Sequence, residues 1–183
     1  MEPDSGTRSS LVWQTIRLLN KAKETNTLPK YMMLENVKNL VGKKFIDDFN
    51  TLNLLIEEFG YNVYWKVINA KDTGIPQNRE RVFAIYIHKD IDTHNLEWPI
   101  PFDNGLRLKD VLDDNVDENY YINTQKAQEL IQKLIDDGII GETSGIDLSV
   151  KQPRPIEIAN CVSARTDRGI SNRQAEGSGV CVI

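Results

Sequence analysis

The sequence predicts an α/β fold, and within that class the second half of an open sheet. Three observations carry this. Apolar residues recur at helical spacing over residues 10–23 and 45–59. Short continuous apolar or β-rich runs follow at Tyr31–Leu34, Tyr61–Ile68 and Arg81–Ile87. The resulting order of helix, strand, helix, strand, loop, strand is that of an open α/β sheet, with no leading strand and glycine-rich turn to begin a nucleotide-binding first half.

Each element has its own reason. Val12, Ile16, Leu19 and Ala22 make one face of a helix, for which Ser9 or Ser10 offers an N-cap oxygen. Asn26 to Pro29 ends it. Tyr31–Leu34 is an unbroken apolar run, expected of a strand buried on both faces in a parallel sheet. Phe45, Phe49, Leu52, Leu55, Ile56 and Phe59 form the clearest helical stripe, closed by Gly60 at a left-handed C-cap position. Asp72, Gly74 and Pro76 mark a polar loop between the last two strands.

Beyond about Lys89 the character changes, and Pro99, Pro101 and Asp103-Asn104-Gly105 mark a boundary. The chain is accordingly divided into residues 1–98, a partial α/β domain, and 99–183, a connecting helix with a polar C-terminal region. That helix is predicted over 124–137, with Ala127, Leu130, Ile131, Leu134 and Ile135 on one side and Gly138 at its end.

Composition sets further bounds. No apolar run approaches the roughly 20 residues that span a bilayer, and the acidic, polar N-terminus is unlike a signal peptide; a cytoplasmic protein with no membrane partner is expected. Two cysteines, Cys161 and Cys181, and two histidines, His88 and His94, lack metal-site spacing, so no metal is expected. The net charge of −5 is unevenly spread. Residues 88–137 hold 5 Lys/Arg against 12 Asp/Glu, whereas residues 151–176 hold 5 against 3. One acidic segment thus accounts for the deficit and leaves local arginines able to meet phosphates.

The chemistry concentrates in three places. Glu35 directly follows the Tyr31–Leu34 run, which would set it at the carboxyl end of a strand, the edge where ligands bind in open α/β sheets. A carboxyl shielded there could pass a proton to a ring nitrogen, although the sequence equally allows it to cap the next helix or pair with Lys38. Gln77, Arg79 and Arg81 alternate, so on one extended segment they would share a side, and guanidinium groups bind phosphates or base carbonyls. Arg165, Arg168, Ser171, Asn172 and Arg173 lie in a glycine-punctuated tail of the kind that reads base edges and phosphates.

Together these segments resemble the DNA (cytosine-5) methyltransferases of bacterial restriction-modification type. Glu35-Asn36-Val37 is similar to that family's Glu-Asn-Val motif, and Gln77-x-Arg79-x-Arg81 to its Gln-x-Arg-x-Arg motif. Asn69–Pro76 is similar to the linker between them, and Ser5–Leu11 to the segment that follows the nucleophile loop. Order and spacing agree over residues 5–87; residues 155–183 resemble the opening of a target-recognition region.

The resemblance implies the second half of a Rossmann-like, AdoMet-dependent methyltransferase sheet with an appended partial target-recognition region. It implies methyl transfer from S-adenosylmethionine to C5 of a cytosine flipped out of duplex DNA, after a cysteine thiolate attacks C6. Glu35 would protonate or hydrogen-bond N3, Arg81 would hold the base carbonyl and the nucleophile loop, Arg79 and Gln77 would support that loop, and Leu11 would line the cofactor pocket. The Arg165–Arg173 group would contact DNA. The family's Pro-Cys nucleophile and glycine-rich cofactor motif have no counterpart in this sequence. The chain alone is therefore expected to be inactive, and to use S-adenosylmethionine only with a complementary polypeptide carrying the missing half. A non-catalytic module binding DNA or a partner, and a self-associating remnant, are the alternatives.

Overall fold

The computed structural model describes residues 11–113, 115–117, 124–140, 143–147, 154–161 and 178–182. The chain divides into two compact units, residues 1–68 with 80–99, and residues 69–79 with 100–183. The segment 69–79, which the sequence reading kept with the first domain, groups with the second unit because its partners are there. Phe102 donates its amide to the Asp72 carbonyl at 3.0 Å, and Ala159 donates to the Pro76 carbonyl at 2.9 Å.

In the first unit α1 (Leu11–Glu24) leads to β1 (Tyr31–Val37), a 3-10 turn (Lys38–Val41), α2 (Ile46–Glu58), β2 (Tyr61–Asn69) and, after the excursion through 69–79, β4 (Glu80–His88). The three strands form a sheet in the order β1-β4-β2. Asp47 and Asp48 lie in the first turn of α2, where carboxylates complement the helix dipole. Its end is set by Gly60, which holds φ at 95° and donates to the Glu57 carbonyl at 2.9 Å. A side chain would be strained in that left-handed conformation.

The core follows from strand alternation. Val82, Ala84 and Tyr86 of β4 are buried against Leu19 of α1, Phe49, Leu52 and Ile56 of α2, and Tyr61 of β2. Met32 and Leu34 of β1 pack on the same side. Tyr86 is 2% exposed and its hydroxyl donates to Asn53 Oδ1 at 3.0 Å, which satisfies both buried polar groups. Helices α1 and α2 cover this face. On the other face Tyr31, Met33 and Val37 are exposed.

β1 departs from expectation. It pairs antiparallel with β4, Tyr31 opposite Ile87 and Val37 opposite Arg81, and alternates exposed with half-buried residues along its length. It is a half-covered edge strand, not a strand enclosed on both faces of a parallel sheet. Its four apolar residues are contiguous because its two faces meet different surroundings: Met32 and Leu34 supply the core, while Tyr31 and Met33 sit on the uncovered side.

The second unit contains β3 (Gln77–Asn78), α3 (Gln125–Asp136), β5 (Thr143–Asp147), β6 (Arg154–Ile156), β7 (Ala159–Asn160) and β8 (Ser178–Val182). β3 pairs parallel with β7, and a second sheet has the order β6-β5-β8, antiparallel throughout. Leu134, Ile140 and Ile146 form a small core with Ile131, Ile135 and Ile139 packed against it. Leu130, expected on the buried side of α3, is exposed. Among the described residues no helix is long and apolar enough to cross a membrane.

Burial pushes the Tyr86 phenol up to about 12 and raises that of Tyr61. A tyrosine whose folded pKa lies above its unfolded value of about 10 contributes its full share of stability below pH ~10. That share is lost as pH climbs through about 12. Denaturant melts between pH 8 and 12 should therefore hold steady to about pH 10 and then fall, with Tyr86 accounting for roughly 2–3 kcal/mol of the loss. Tyr86→Phe should flatten that limb while costing about 1–3 kcal/mol at neutral pH, because Asn53 loses its buried partner.

Candidate active site

Glu35 and Arg81 meet because of the β1–β4 register. Glu35 lies opposite Phe83, and Arg81 lies opposite Val37. Residues two apart on one strand share a face, as do directly opposed residues across a ladder. Glu35 and Arg81 are thus diagonal neighbours on the face the helices leave uncovered. Arg81 Nε lies 3.1 Å from Glu35 Oε1, with the arginine side chain 17% exposed and the glutamate 47%. Arg81 Nη1 also donates to the Glu80 carbonyl at 2.8 Å, which ties the guanidinium along its own strand.

Glu35 occupies the fifth position of the seven-residue β1 rather than the end of a strand. The alternative pairing with Lys38 does not form. Lys38 Nζ instead binds both Glu80 oxygens, at 2.7 and 2.8 Å, and the turn after β1 has no side-chain cap. The alternation of β4 sends Glu80 and Arg81 to opposite sides, so each takes a different partner.

Gln77 and Arg79 lie outside β4. β3 ends at Asn78 and β4 starts at Glu80, and Gln77 and Arg79 belong to the second unit. Gln77 lies opposite Ala159, and Asn78 opposite Asn160. Arg79 Nη1 donates to Cys161 Sγ at 3.4 Å.

Asn69 organises this segment, a role the sequence reading missed. Only 9% exposed, it accepts from the Arg79 amide at 2.9 Å and the Lys71 amide at 3.3 Å, and donates to Asn78 Oδ1 at 2.7 Å. Ala70 adds a backbone bond to the Arg79 carbonyl at 3.0 Å. An asparagine at the end of a β-rich run, directly before a short polar turn, was the available signal, since that residue type caps helical turns.

A cavity of about 420 Å³ lies within the second unit, lined by Lys71, Gly74, Phe102, Arg107 and Glu157 among others; of the sequence-predicted site residues whose side chains are described, none lines it. Arg107 is held there by Asp103 through two bonds of 2.9 Å and by Glu157 at 3.2 Å. The Arg107 guanidinium, with the Gly105 amide, lowers the Asp103 carboxyl to about 2. Leu11 opens α1 with its side chain outside the described residues, as are Arg165, Arg168, Ser171, Asn172 and Arg173 entirely. Among the described residues no group of three or more His, Cys, Asp or Glu is placed to hold a metal ion.

Comparison with known proteins matches residues 4–174 to the model of the C-5 cytosine-specific DNA methylases. The chain is 45% identical over 129 residues to the type II methyltransferase M2.ScrFI of Lactococcus lactis subsp. cremoris, covering 70% of this chain and 34% of that protein. It is 34% identical over 119 residues to the type II methyltransferase M.SsoII of Shigella sonnei, covering 64% and 30%. The chain thus spans about a third of the length of these relatives. Among solved structures it resembles the S. pombe Dnmt2 methyltransferase, with a TM-score of 0.53 at 16% identity over 88% of this chain and 48% of the other. The Entamoeba histolytica methyltransferase EhMeth gives 0.50 at 16%, over 90% and 53%. At that identity the likeness supports the fold, a partial Rossmann-like methyltransferase sheet.

Asn69→Ala removes three hydrogen bonds around a buried amide and should destabilise the chain by about 1–3 kcal/mol. Asn69→Asp, which keeps the two acceptor contacts, should lose less. Chemical denaturation of the two variants beside the parent chain measures the difference.

Proposed function

The chain belongs to the C-5 cytosine-specific DNA methylase family, and on that footing we propose that it forms part of a DNA (cytosine-5) methyltransferase and holds the target base. The observation that carries the proposal is the Glu35–Arg81 pair at 3.1 Å on the uncovered sheet face. An extruded cytosine offers N3 and the exocyclic amine to a carboxyl group, and its O2 carbonyl to a guanidinium. Glu35 takes the N3 edge, where a proton or hydrogen bond relieves negative charge developing on the ring. Arg81 takes O2. Arg79 and Gln77 support the nucleophile-bearing loop, and Arg165, Arg168, Ser171, Asn172 and Arg173 are the proposed DNA contacts.

S-adenosylmethionine is the proposed methyl donor, but the described residues do not make a site for it. Leu11 is the one position assigned to its pocket, and Glu35 does not line the cavity of the second unit. We assign the donor site and the nucleophile to a complementary polypeptide. The exposed Tyr31, Met33 and Val37 on edge strand β1 favour a complementary polypeptide that extends this sheet, since an unpaired strand edge and an apolar face both seek cover.

The experiment mixes this chain with a polypeptide carrying the Pro-Cys and glycine-rich motifs, duplex DNA and methyl-labelled S-adenosylmethionine. Incorporation is expected from the mixture and from neither part alone. Glu35→Gln should lower it by about 100-fold or more, in the range of a lost acid–base group. Absence of incorporation from a folded, associated mixture contradicts the proposal. Salt-dependent binding of duplex DNA by this chain without any methyl transfer would instead identify a binding module.

A further inference from the structure

We propose that Cys161 is a positioning residue for Arg79, its sulfur fixing the direction in which the guanidinium leaves the Gln77–Arg79 segment. The backbone of Arg79 is held on one side by Asn69 Oδ1 at 2.9 Å and by the Ala70 amide at 3.0 Å. Its side chain is held on the other by Cys161 Sγ at 3.4 Å. The two residues meet through strand register. β3 and β7 run parallel with Gln77 opposite Ala159 and Asn78 opposite Asn160, and Ala159 anchors to the Pro76 carbonyl at 2.9 Å. One more residue along each chain brings Arg79 beside Cys161.

The chemistry suits the contact. Sulfur is a weak acceptor, but a charged donor strengthens the bond beyond that of a neutral pair. Both side chains are partly buried, so water competes less for the guanidinium than it would at an open surface. Arginine is a long side chain with many rotamers, and a fixed acceptor selects among them. Cys161 thus does for the side chain of Arg79 what Asn69 does for its backbone. The assignment of Arg79 to support of a nucleophile loop rests on the function proposed above; the positioning itself is a property of this chain.

The test is the arginine side-chain NMR spectrum of the full chain, labelled with nitrogen-15, with Arg79 assigned by Arg79→Lys. The Arg79 Nη signals are expected to stand apart from those of freely rotating arginines. Cys161→Ala should merge them with the others, and Cys161→Ser, whose hydroxyl accepts in place of the thiol, should restore the separation. In the reverse direction, Arg79→Gln should move the Cys161 Cβ carbon signal. Arg79 signals unchanged by Cys161→Ala, or merged alike by Ala and Ser in chains that still melt cooperatively, overturn the proposal. Should the alanine variant fail to fold, an unmoved Cys161 signal in Arg79→Gln overturns it equally. A failed methyl-transfer assay leaves these spectra untouched, so the two proposals fail separately.

Discussion

The antiparallel register between β1 and β4 is the constraint on which the rest of the first unit depends. It sets Leu34 opposite Ala84 and Met32 opposite Tyr86, which joins β1 to the core. It sets Glu35 opposite Phe83 and Val37 opposite Arg81, which brings the carboxylate to the guanidinium. The two outcomes cannot be separated, because the side-chain period of a strand is two. A slip of one residue would turn Glu35 toward the helices and Met32 and Leu34 toward the uncovered face. The apolar contacts of Leu19, Phe49, Leu52 and Ile56 therefore hold the polar pair in place without touching it.

The same alternation separates charges that lie next to one another in sequence. Glu80 turns to Lys38 at 2.7 Å, and Arg81 turns to Glu35 at 3.1 Å. Were Glu80 to share a face with Arg81, it would compete for the guanidinium. In the second unit a parallel ladder of two residues plays the analogous part, with Asn69 holding the Arg79 backbone and Cys161 its guanidinium. Short ladders of this kind have little stability of their own, and the buried Asn69 amide supplies a rigid anchor for this one.

Much of this was legible in the sequence. The helical stripe ending at Gly60 became α2 and its left-handed cap, and the β-rich runs became β2 and β4 within two residues of their expected bounds. Strand direction was not legible. A contiguous apolar run reads the same whether its neighbour is parallel or antiparallel, and the partner of β1 lies beyond both α2 and β2 in the chain. The partner of Glu35 was similarly open, since Lys38 is near in sequence and Arg81 is near only through the ladder. Arg79 and Cys161 are 82 residues apart, a separation that local pattern does not bridge, and the alternation of Gln77, Arg79 and Arg81 suggested one strand where the chain forms two. The Glu-Asn-Val and Gln-x-Arg-x-Arg motifs identified the family on residues whose geometry they did not convey.

A double-mutant cycle at Glu35 and Arg81, read by denaturant unfolding of the parent chain, Glu35→Gln, Arg81→Gln and the doubly substituted chain, tests the register-built pair most directly. For a half-exposed ion pair the account predicts a coupling of about 0.5–1 kcal/mol that shrinks in 1 M salt as the charges are screened. Effects that add within about 0.3 kcal/mol at low salt would contradict it, because two side chains held together by the sheet cannot be removed independently.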